Sequence, residues 1–189
     1  MEKFEVKTLQ TYTVRSGDTI WKIAQAHRVG LRELLLANPQ INNPDRISVG
    51  QKINIPQQAP HRGMEEEIVR LVNVERARHN LRPLTENWEV SRVARFKSQD
   101  MINNNYFAHN SPVFGTPFEM LRNFGIRFTS AAENIAFGQP TAAAVMNAWM
   151  NSPGHRANIL NPNFTQMGAG VARRGATGPF FYTQMFIRP

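Results

Sequence analysis

The sequence of 189 residues predicts an α+β protein of two domains. One observation is a polar stretch with Pro and Gly, Gln57–Gly63, which follows Pro56 and is typical of a linker. Another is apolar spacing typical of helices on both sides of this stretch. A third is a pair of apolar runs near the C-terminus, joined by Gly175-Ala-Thr-Gly178 as a predicted hairpin. We therefore expect a small domain at 11–56 and a larger one at 64–189.

The small domain is predicted to contain two short strands and two short helices. The first strand is Tyr12–Val14, and a helix follows a turn in which Asp18 is a suitable N-cap. A second helix is expected at Leu31–Ala37 and a second strand at Lys52–Ile55. The order is therefore strand, helix, helix, strand.

Three ordered blocks of this domain resemble the LysM family. The blocks are Tyr12-Thr-Val-Arg-Ser-Gly-Asp-Thr-Ile-Trp21-Lys-Ile-Ala24, Leu34-Leu-Leu-Ala-Asn38-Pro39 and Ile47-Ser-Val-Gly-Gln-Lys-Ile-Asn-Ile-Pro56. The resemblance implies binding of N-acetylglucosamine chains, in peptidoglycan or another polymer, in a groove between two loops. On this chain the groove residues are Gly17, Asp18, Thr19, Ile20, Ile41, Asn42, Asn43, Pro44, Asp45, Arg46 and Ile47. The alternative for the first loop is a purely structural turn and cap.

The larger domain is predicted to layer helices on a small antiparallel sheet. Helices are expected from Glu65, after a cap at Asn87, after a capping box at Thr116–Glu119, and from Thr141 to Trp149. Ser152-Pro-Gly154 is expected to end the last of these helices. Strands are expected at 134–138, 167–174 and 180–187.

An unusual distribution of charge marks the second half of the chain. From Met101 to Pro189 there is no Asp, Lys or Cys, and the remaining acids and imidazoles are Glu119, Glu133, His109 and His155. Soluble domains normally carry many surface carboxylates. Two His and two Glu could bind a metal or transfer a proton, so we look for chemistry at these four residues first.

Five blocks of the larger domain resemble the CAP superfamily, and its bacterial SCP-like branch in particular. The blocks are Leu71-Val-Asn73-Val-Glu-Arg76, Tyr106-Phe-Ala-His109-Asn-Ser-Pro112, Ala132-Glu133-Asn134-Ile135-Ala136, Trp149-Met-Asn-Ser152-Pro153-Gly154-His155-Arg156-Ala-Asn158-Ile-Leu160 and Met167-Gly168-Ala-Gly170-Val171. The resemblance implies an α-β-α sandwich with a central antiparallel sheet and a cleft. It also implies that His109, Glu119, Glu133 and His155 form the catalytic or ligand-binding tetrad of that cleft.

The tetrad has metal-dependent and structural interpretations. His109 and His155 could hold a divalent metal such as zinc, with a Glu as base, although catalytic zinc usually has three protein ligands. Glu119 also fits a capping box, whereas Glu133 has no local structural use in the sequence. A Ser-His-acid hydrolase using Ser111 or Ser152 is disfavoured, because no Gly-x-Ser-x-Gly motif is present.

Composition excludes several classes of protein. The net charge of +8 is spread along the chain without a dense basic run, which disfavours nucleic acid but suits an anionic polymer such as a cell wall. No apolar stretch approaches the ~20 residues of a membrane span, and the N-terminus lacks the apolar core of a signal peptide. Without cysteine there are no disulfides or thiolate ligands.

These observations predict an exported bacterial protein at the cell wall or spore surface, held on peptidoglycan by its small domain. Two functions are open. The larger domain either binds a ligand without turnover, in wall or spore-coat assembly, or is a metal-assisted hydrolase of wall peptide or glycan.

Overall fold

The computed structural model describes residues 10–56 and 60–189, and the chain divides into two compact units between Pro60 and His61. Each unit buries apolar side chains of its own. The predicted α+β class is confirmed. None of the helices in the described ranges combines the length and apolar character needed to cross a bilayer.

The small unit is a two-stranded sheet with two helices packed on it. Its elements are β1 (Gln10–Thr13), α1 (Ile20–Ala26), α2 (Leu31–Leu36) and β2 (Lys52–Ile55). The strands are antiparallel, and the core includes the fully buried Leu34 and Ile53. The buried amide of Asn38 donates to the carbonyls of Leu34 and Asn54, which ties the end of α2 to β2.

The cap of α1 is one residue later than predicted. Thr19 is the N-cap, and its hydroxyl accepts the backbone N–H of Lys22. The carboxylate of Asp18 instead accepts the backbone N–H of Arg15 at 2.7 Å and the Tyr12 hydroxyl at 2.8 Å. The prediction of Asp18 as the cap was wrong, because its side chain closes the preceding turn and is no longer available to the helix.

The larger unit contains five helices and four strands. They are α3 (Arg62–Arg78), β3 (Thr85–Glu86), α4 (Trp88–Asn103), α5 (Pro117–Asn123), β4 (Ser130–Phe137), α6 (Ala142–Met150), α7 (Pro153–Ile159), β5 (Gln166–Arg173) and β6 (Phe180–Arg188). The sheet order is β3-β5-β6-β4, antiparallel except for the short parallel pair β3–β5. β4 is therefore an outer strand.

Helices cover both faces of this sheet, as an α-β-α sandwich requires. On one face, Met185 of β6 packs with Val93 of α4 and Leu121 of α5. On the other, Tyr182 of β6 packs with residues of α3 and α6, including the fully buried Ile68. This alternation follows from the two-residue period of a strand.

Several of the predicted caps are present. The side chain of Asn87 caps α4, and that of Thr141 caps α6. Thr116 and Glu119 form a complete capping box at the start of α5. These residues lie where the sequence predicts them, because a cap depends on only a few neighbouring residues.

Four features of the larger unit differ from the sequence prediction. Strand β4 begins at Ser130, four residues before the predicted start, so Glu133 lies within it. α3 begins at Arg62, inside the stretch predicted as a linker, and residues 57–59 of that stretch lie outside the described residues. The short strand β3 was not predicted. The run from Pro153 opens helix α7 and does not simply end α6, because proline is well suited to the first turn of a helix.

Two glycines allow α4 to lie directly against β5. A Cβ added at Gly170 would lie 2.0 Å from the backbone nitrogen of Arg95, and one at Gly168 would lie 2.2 Å from that of Ser91. The hydroxyl of Ser98 also donates to the carbonyl of Gly170. This close approach fixes α4, and with it the polar side chains near its C-terminal end, on the sheet.

Candidate functional site

The loop between α4 and α5 and the strand β4 bring an imidazole and a carboxylate into contact. Nδ1 of His109 lies 2.7 Å from Oε1 of Glu133. The Glu133 side chain is 2% exposed, whereas that of His109 is 53% exposed. A buried carboxylate therefore orients a histidine ring that reaches solvent. Nε2 of this ring makes no hydrogen bond to the described part of the chain.

The pair favours uptake of a proton. Burial raises the pKa of Glu133, because a carboxylate loses its hydration there. The hydrogen bond to Glu133 raises the pKa of His109. Because each group affects the other, the two titrate as a coupled pair. A negative or polar ligand group would meet an imidazole that holds its proton more strongly than a free histidine does.

A fully buried lysine supports both members of the pair. Nζ of Lys97 on α4 donates to the carbonyls of Ala108 at 2.9 Å and His109 at 2.6 Å, and to the hydroxyl of Tyr106 at 3.0 Å. Its positive charge also lowers the pKa of Glu133, although burial has the larger, opposite effect. Lys97 thus holds the loop that carries His109 and helps Glu133 to keep its charge.

Asp100, one turn further along α4, also anchors this loop. Its carboxylate accepts the hydroxyls of Tyr106 and Ser111 and the side-chain amide of Asn104. Burial and this contact raise the pKa of Tyr106, so the phenol remains a donor. The Ser111 hydroxyl also accepts the backbone N–H of Phe114, which commits it to the loop.

His155 approaches the pair from helix α7. Asn134, the residue after Glu133, donates its amide to the backbone carbonyl of His155 at 3.1 Å. Asn158 of α7 donates to the side chain of Asn134 at 2.8 Å. Burial lowers the pKa of His155, and the charge of His109 lowers it further. His155 therefore stays neutral more readily than a free histidine.

The outer position of β4 explains how these residues can gather. Glu133 lies opposite Met185 of β6 and Asn134 lies opposite Gln184, so the two point to opposite faces of the sheet. An outer strand has no neighbouring strand on one side. Side chains from the two faces of the sheet can therefore approach each other around that free edge. Residues held by α4 on one face and by α7 on the other can therefore meet at the edge of β4.

Glu119 is the predicted tetrad member that is engaged elsewhere. Its Oε2 accepts the backbone N–H of Thr116 at 2.7 Å and the Thr116 hydroxyl at 2.8 Å. In residues 60–189, no hydrogen bond or ion pair joins it to His109, Glu133 or His155. The structural alternative for Glu119, a capping box, is thus observed, and its functional role stays a prediction.

The predicted sugar-binding loops of the small unit differ in exposure. Gly17, with φ of 84°, and Thr19 are exposed, as are Asn42, Asn43, Asp45 and Arg46. The side chain of Ile20 is 3% exposed and lies in the core, so only its backbone is left to contact a sugar. Ile41 and Ile47 pack partly against the same core, and Pro44 is half-buried.

Comparison with known protein families confirms the predicted family of each unit. Residues 12–56 match the LysM domain, and residues 69–186 match the CAP group, the cysteine-rich secretory protein family. The chain belongs to the cysteine-rich secretory protein family. We refer below to its small unit as the LysM domain and to its larger unit as the CAP domain.

The relatives named here each match a part of this chain. YkwD of Bacillus subtilis (strain 168) is 46% identical over 142 residues, which are 74% of this chain and 54% of that protein. An extracellular protein containing an SCP domain from Bacillus anthracis str. Ames has a solved structure with 38% identity and a TM-score of 0.63, covering 74% of this chain and 47% of that one. Spore coat assembly protein ExsA of Bacillus cereus is 40% identical over 53 residues, 28% of this chain and 8% of that protein. The chain spans about half the length of the first two relatives.

The side chains of the CAP domain fit a metal only in part. Glu133 holds Nδ1 of His109 and leaves Nε2 for a ligand, the arrangement in which carboxylates orient metal-binding histidines. His155, kept neutral, could supply a second nitrogen. No group of three or more His, Cys, Asp or Glu in the described ranges is arranged to hold an ion. Two imidazoles are fewer ligands than catalytic zinc usually has, so a metal here would bind weakly.

Lys97 and Asp100 are the site residues that the sequence prediction missed. The apolar face of α4 includes Val93 and Met101, and Lys97 lies four residues from each. Asp100 lies seven residues after Val93 and shares this face. A charged residue within an apolar helical stripe was the available signal, since such a side chain must find buried partners.

Proposed function

We propose that this chain is a cell-wall-binding protein that acts outside the cell, at the wall or the spore surface. Its LysM domain binds peptidoglycan or another N-acetylglucosamine polymer, and its CAP domain is thereby held near wall components. The observation that carries the proposal is the joining of a LysM domain to a separately packed CAP domain with an oriented, solvent-reaching histidine.

Ligand binding without turnover is the function that we favour for the CAP domain. The His109–Glu133 pair presents one imidazole nitrogen to solvent, while the carboxylate is 2% exposed and committed to the ring. Such a pair is suited to hold a polar group of a ligand. The similarity to a spore coat assembly protein supports a role in wall or coat assembly, although it covers only 53 residues of this chain.

Pull-down with insoluble peptidoglycan tests whether the LysM domain is the part of the chain that binds the wall. Because the two units bury separate cores, fragments 1–60 and 61–189 can be compared with the whole chain. We expect fragment 1–60 to pellet with the wall nearly as well as the whole chain, and fragment 61–189 to pellet much less. Circular dichroism checks that each fragment is folded. Equal pelleting by two folded fragments would contradict the proposal.

A metal-assisted hydrolase of wall peptide or glycan is the second candidate. It is favoured by the orientation of His109 by Glu133 and by the lowered pKa of His155, whereas the raised pKa of His109 means that a metal would compete with a proton for that ring. When bound, a divalent metal such as zinc would supply a polarising charge and an acidified water. Glu133 would hold the His109 ring in place.

Turnover of purified wall fragments separates the two candidates. Hydrolysis that requires a divalent metal and disappears in His109→Ala would establish the second. The matched control is His27→Ala, which removes a histidine of the LysM domain. Binding of fragments without release of new reducing ends or amino groups, at any metal concentration tested, would support the first.

A further inference from the structure

Two phenylalanines form an exposed aromatic patch on the CAP domain. Phe107 is 45% exposed and Phe137 is 50% exposed, and their ring centroids lie 4.8 Å apart. Beneath them lies the buried ring of Phe181, whose centroid is 5.6 Å from that of Phe137. Large aromatic side chains left together at a surface often mark a binding site. We call Phe107 and Phe137 the aromatic patch.

The aromatic patch borders the His109–Glu133 pair. Phe107 precedes His109 by two residues in the loop that Lys97 holds. Phe137 follows Glu133 by four residues on β4, and a strand turns every second side chain to the same face. Phe107 contacts Phe137 and His109 contacts Glu133, so the loop runs beside β4 and carries both the aromatic patch and the imidazole along that strand.

An arginine lies at the rim of this surface. The guanidinium of Arg174 is 5.2 Å from the centre of the Phe181 ring, and its Nη2 donates to the side chain of Asn105 at 3.2 Å. Among residues 60–189, no carboxylate lies within ion-pair distance of Arg174. The rim thus carries a positive charge that a negatively charged ligand group could meet.

We propose that this surface binds a saccharide unit of peptidoglycan together with its attached peptide. The apolar face of a pyranose ring would lie on the aromatic patch, a polar ring substituent would meet His109, and a peptide carboxylate would meet Arg174. A sugar fits better than a lipid chain, because the patch is two rings wide and has polar groups on its borders. The inference rests on the proposed wall binding and names the ligand of the CAP site.

Nuclear magnetic resonance on the whole chain can follow both domains in one titration. The probe is a soluble disaccharide-peptide fragment of peptidoglycan. The Cε1–H signal of His109 reports on the CAP surface, and the indole N–H of Trp21, which is 55% exposed on α1, reports on the LysM domain. We expect both signals to shift, with dissociation constants that differ between the two reporters.

Variants of the patch should weaken binding at one reporter alone. Phe107→Ala or Phe137→Ala should raise the dissociation constant read at His109 about tenfold, as loss of an aromatic contact at a binding site does, and leave the Trp21 value unchanged. The matched control is Phe118→Ala, which removes a 40% exposed phenylalanine of α5 outside the patch and should change neither value. Thermal melts establish that each variant is folded.

Removal of the rim charge tests the peptide contact. Arg174→Gln should weaken binding of the disaccharide-peptide at His109 and have little effect on a peptide-free saccharide. Equal weakening for both probes would overturn the role of Arg174 as a carboxylate contact. Equal weakening by Phe118→Ala and by the patch variants would overturn the assignment of the patch.

The two reporters separate failure of the inference from failure of the proposed function. A shift at Trp21 without one at His109 would overturn the inference and leave wall binding by the LysM domain intact. The absence of any shift in the Trp21 signal would contradict the proposed wall binding itself. A shift of His109 by a short-chain fatty acid, with none by the saccharide fragments, would replace the sugar with an apolar ligand and overturn the inference.

Discussion

At the scale of single residues, Glu133 controls the protonation of His109. Because its hydrogen bond is the largest cause of the raised pKa of His109, Glu133→Gln should lower that pKa. Because the pKa of His109 is higher in the folded state, its protonation stabilises the fold. This stabilisation is complete at pH values below the unfolded-state pKa of about 6.5, and it is lost as the pH rises through the folded-state pKa. Glu133→Gln should make this stabilising contribution smaller. Titration of the His109 ring signal measures the shift, and an unchanged pKa would contradict the assigned pairing.

Glu119 and Glu133 should respond differently to the same substitution. Glu119→Gln keeps an oxygen that can accept the Thr116 N–H, so we expect only a small loss of stability and little change in zinc affinity. Glu133→Gln should weaken zinc binding more, because it loosens the orientation of His109. Calorimetric titration with zinc, alongside thermal melts, compares the two variants. A large loss of melting temperature in Glu133→Gln with unchanged zinc affinity would make Glu133 a structural residue.

The roles of Glu133, Glu119 and Lys97 can be predicted from the sequence to different degrees. Glu133 stands out because acids are scarce around it, and it is indeed paired with a histidine. Glu119 could be placed structurally from its neighbours alone, since a capping box spans four residues. Lys97 could not be placed, because its acceptors on the next loop become neighbours only when the loop folds back over α4.

At the scale of elements, Lys97 joins α4 to the loop that carries His109. Lys97→Met keeps most of the side-chain volume but removes the donor for two backbone carbonyls and a charge that supports Glu133. We expect a loss of about 2–4 kcal/mol in the free energy of unfolding, since buried polar groups would remain unpaired. Urea denaturation measures it. Lys22→Met, which removes an exposed lysine of the LysM domain, should cost far less, and equal losses would contradict this role.

Element boundaries show where local signals decide and where packing decides. The caps at Asn87, Thr116 and Thr141 were predicted because each acts within one helical turn. Strand β3 was missed because two residues carry no periodic pattern, and its pairing with β5 depends on tertiary structure. Helix α7 was missed because Pro-Gly is ambiguous between the end of one helix and the beginning of the next.

At the scale of the whole molecule, the chain consists of two units with separate cores. The LysM core includes Ile23, Leu34 and Ile53, and the CAP domain has buried clusters of its own. A unit as small as the LysM domain buries a modest apolar area and is expected to be only marginally stable. The composition predicts a linker at 57–63, because a Pro- and Gly-containing polar stretch separates two patterned segments there, and the chain divides into its two compact units between Pro60 and His61.

Separate cores predict separate unfolding. Gly170→Ala would place a Cβ 2.0 Å from the backbone of α4, where no flexible side chain can yield, so it should destabilise the CAP domain by about 1–3 kcal/mol or more. In a urea series on the whole chain, the indole signal of Trp149, buried in the CAP core, should then be lost at a lower concentration. The signal of Trp21 should be lost at the same urea concentration as in the unmodified chain. Gly154→Ala, where no neighbouring atom lies within 4 Å, is the matched control and should change neither midpoint. A common shift of both signals in Gly170→Ala would show that the two units unfold together, which their separate cores do not predict.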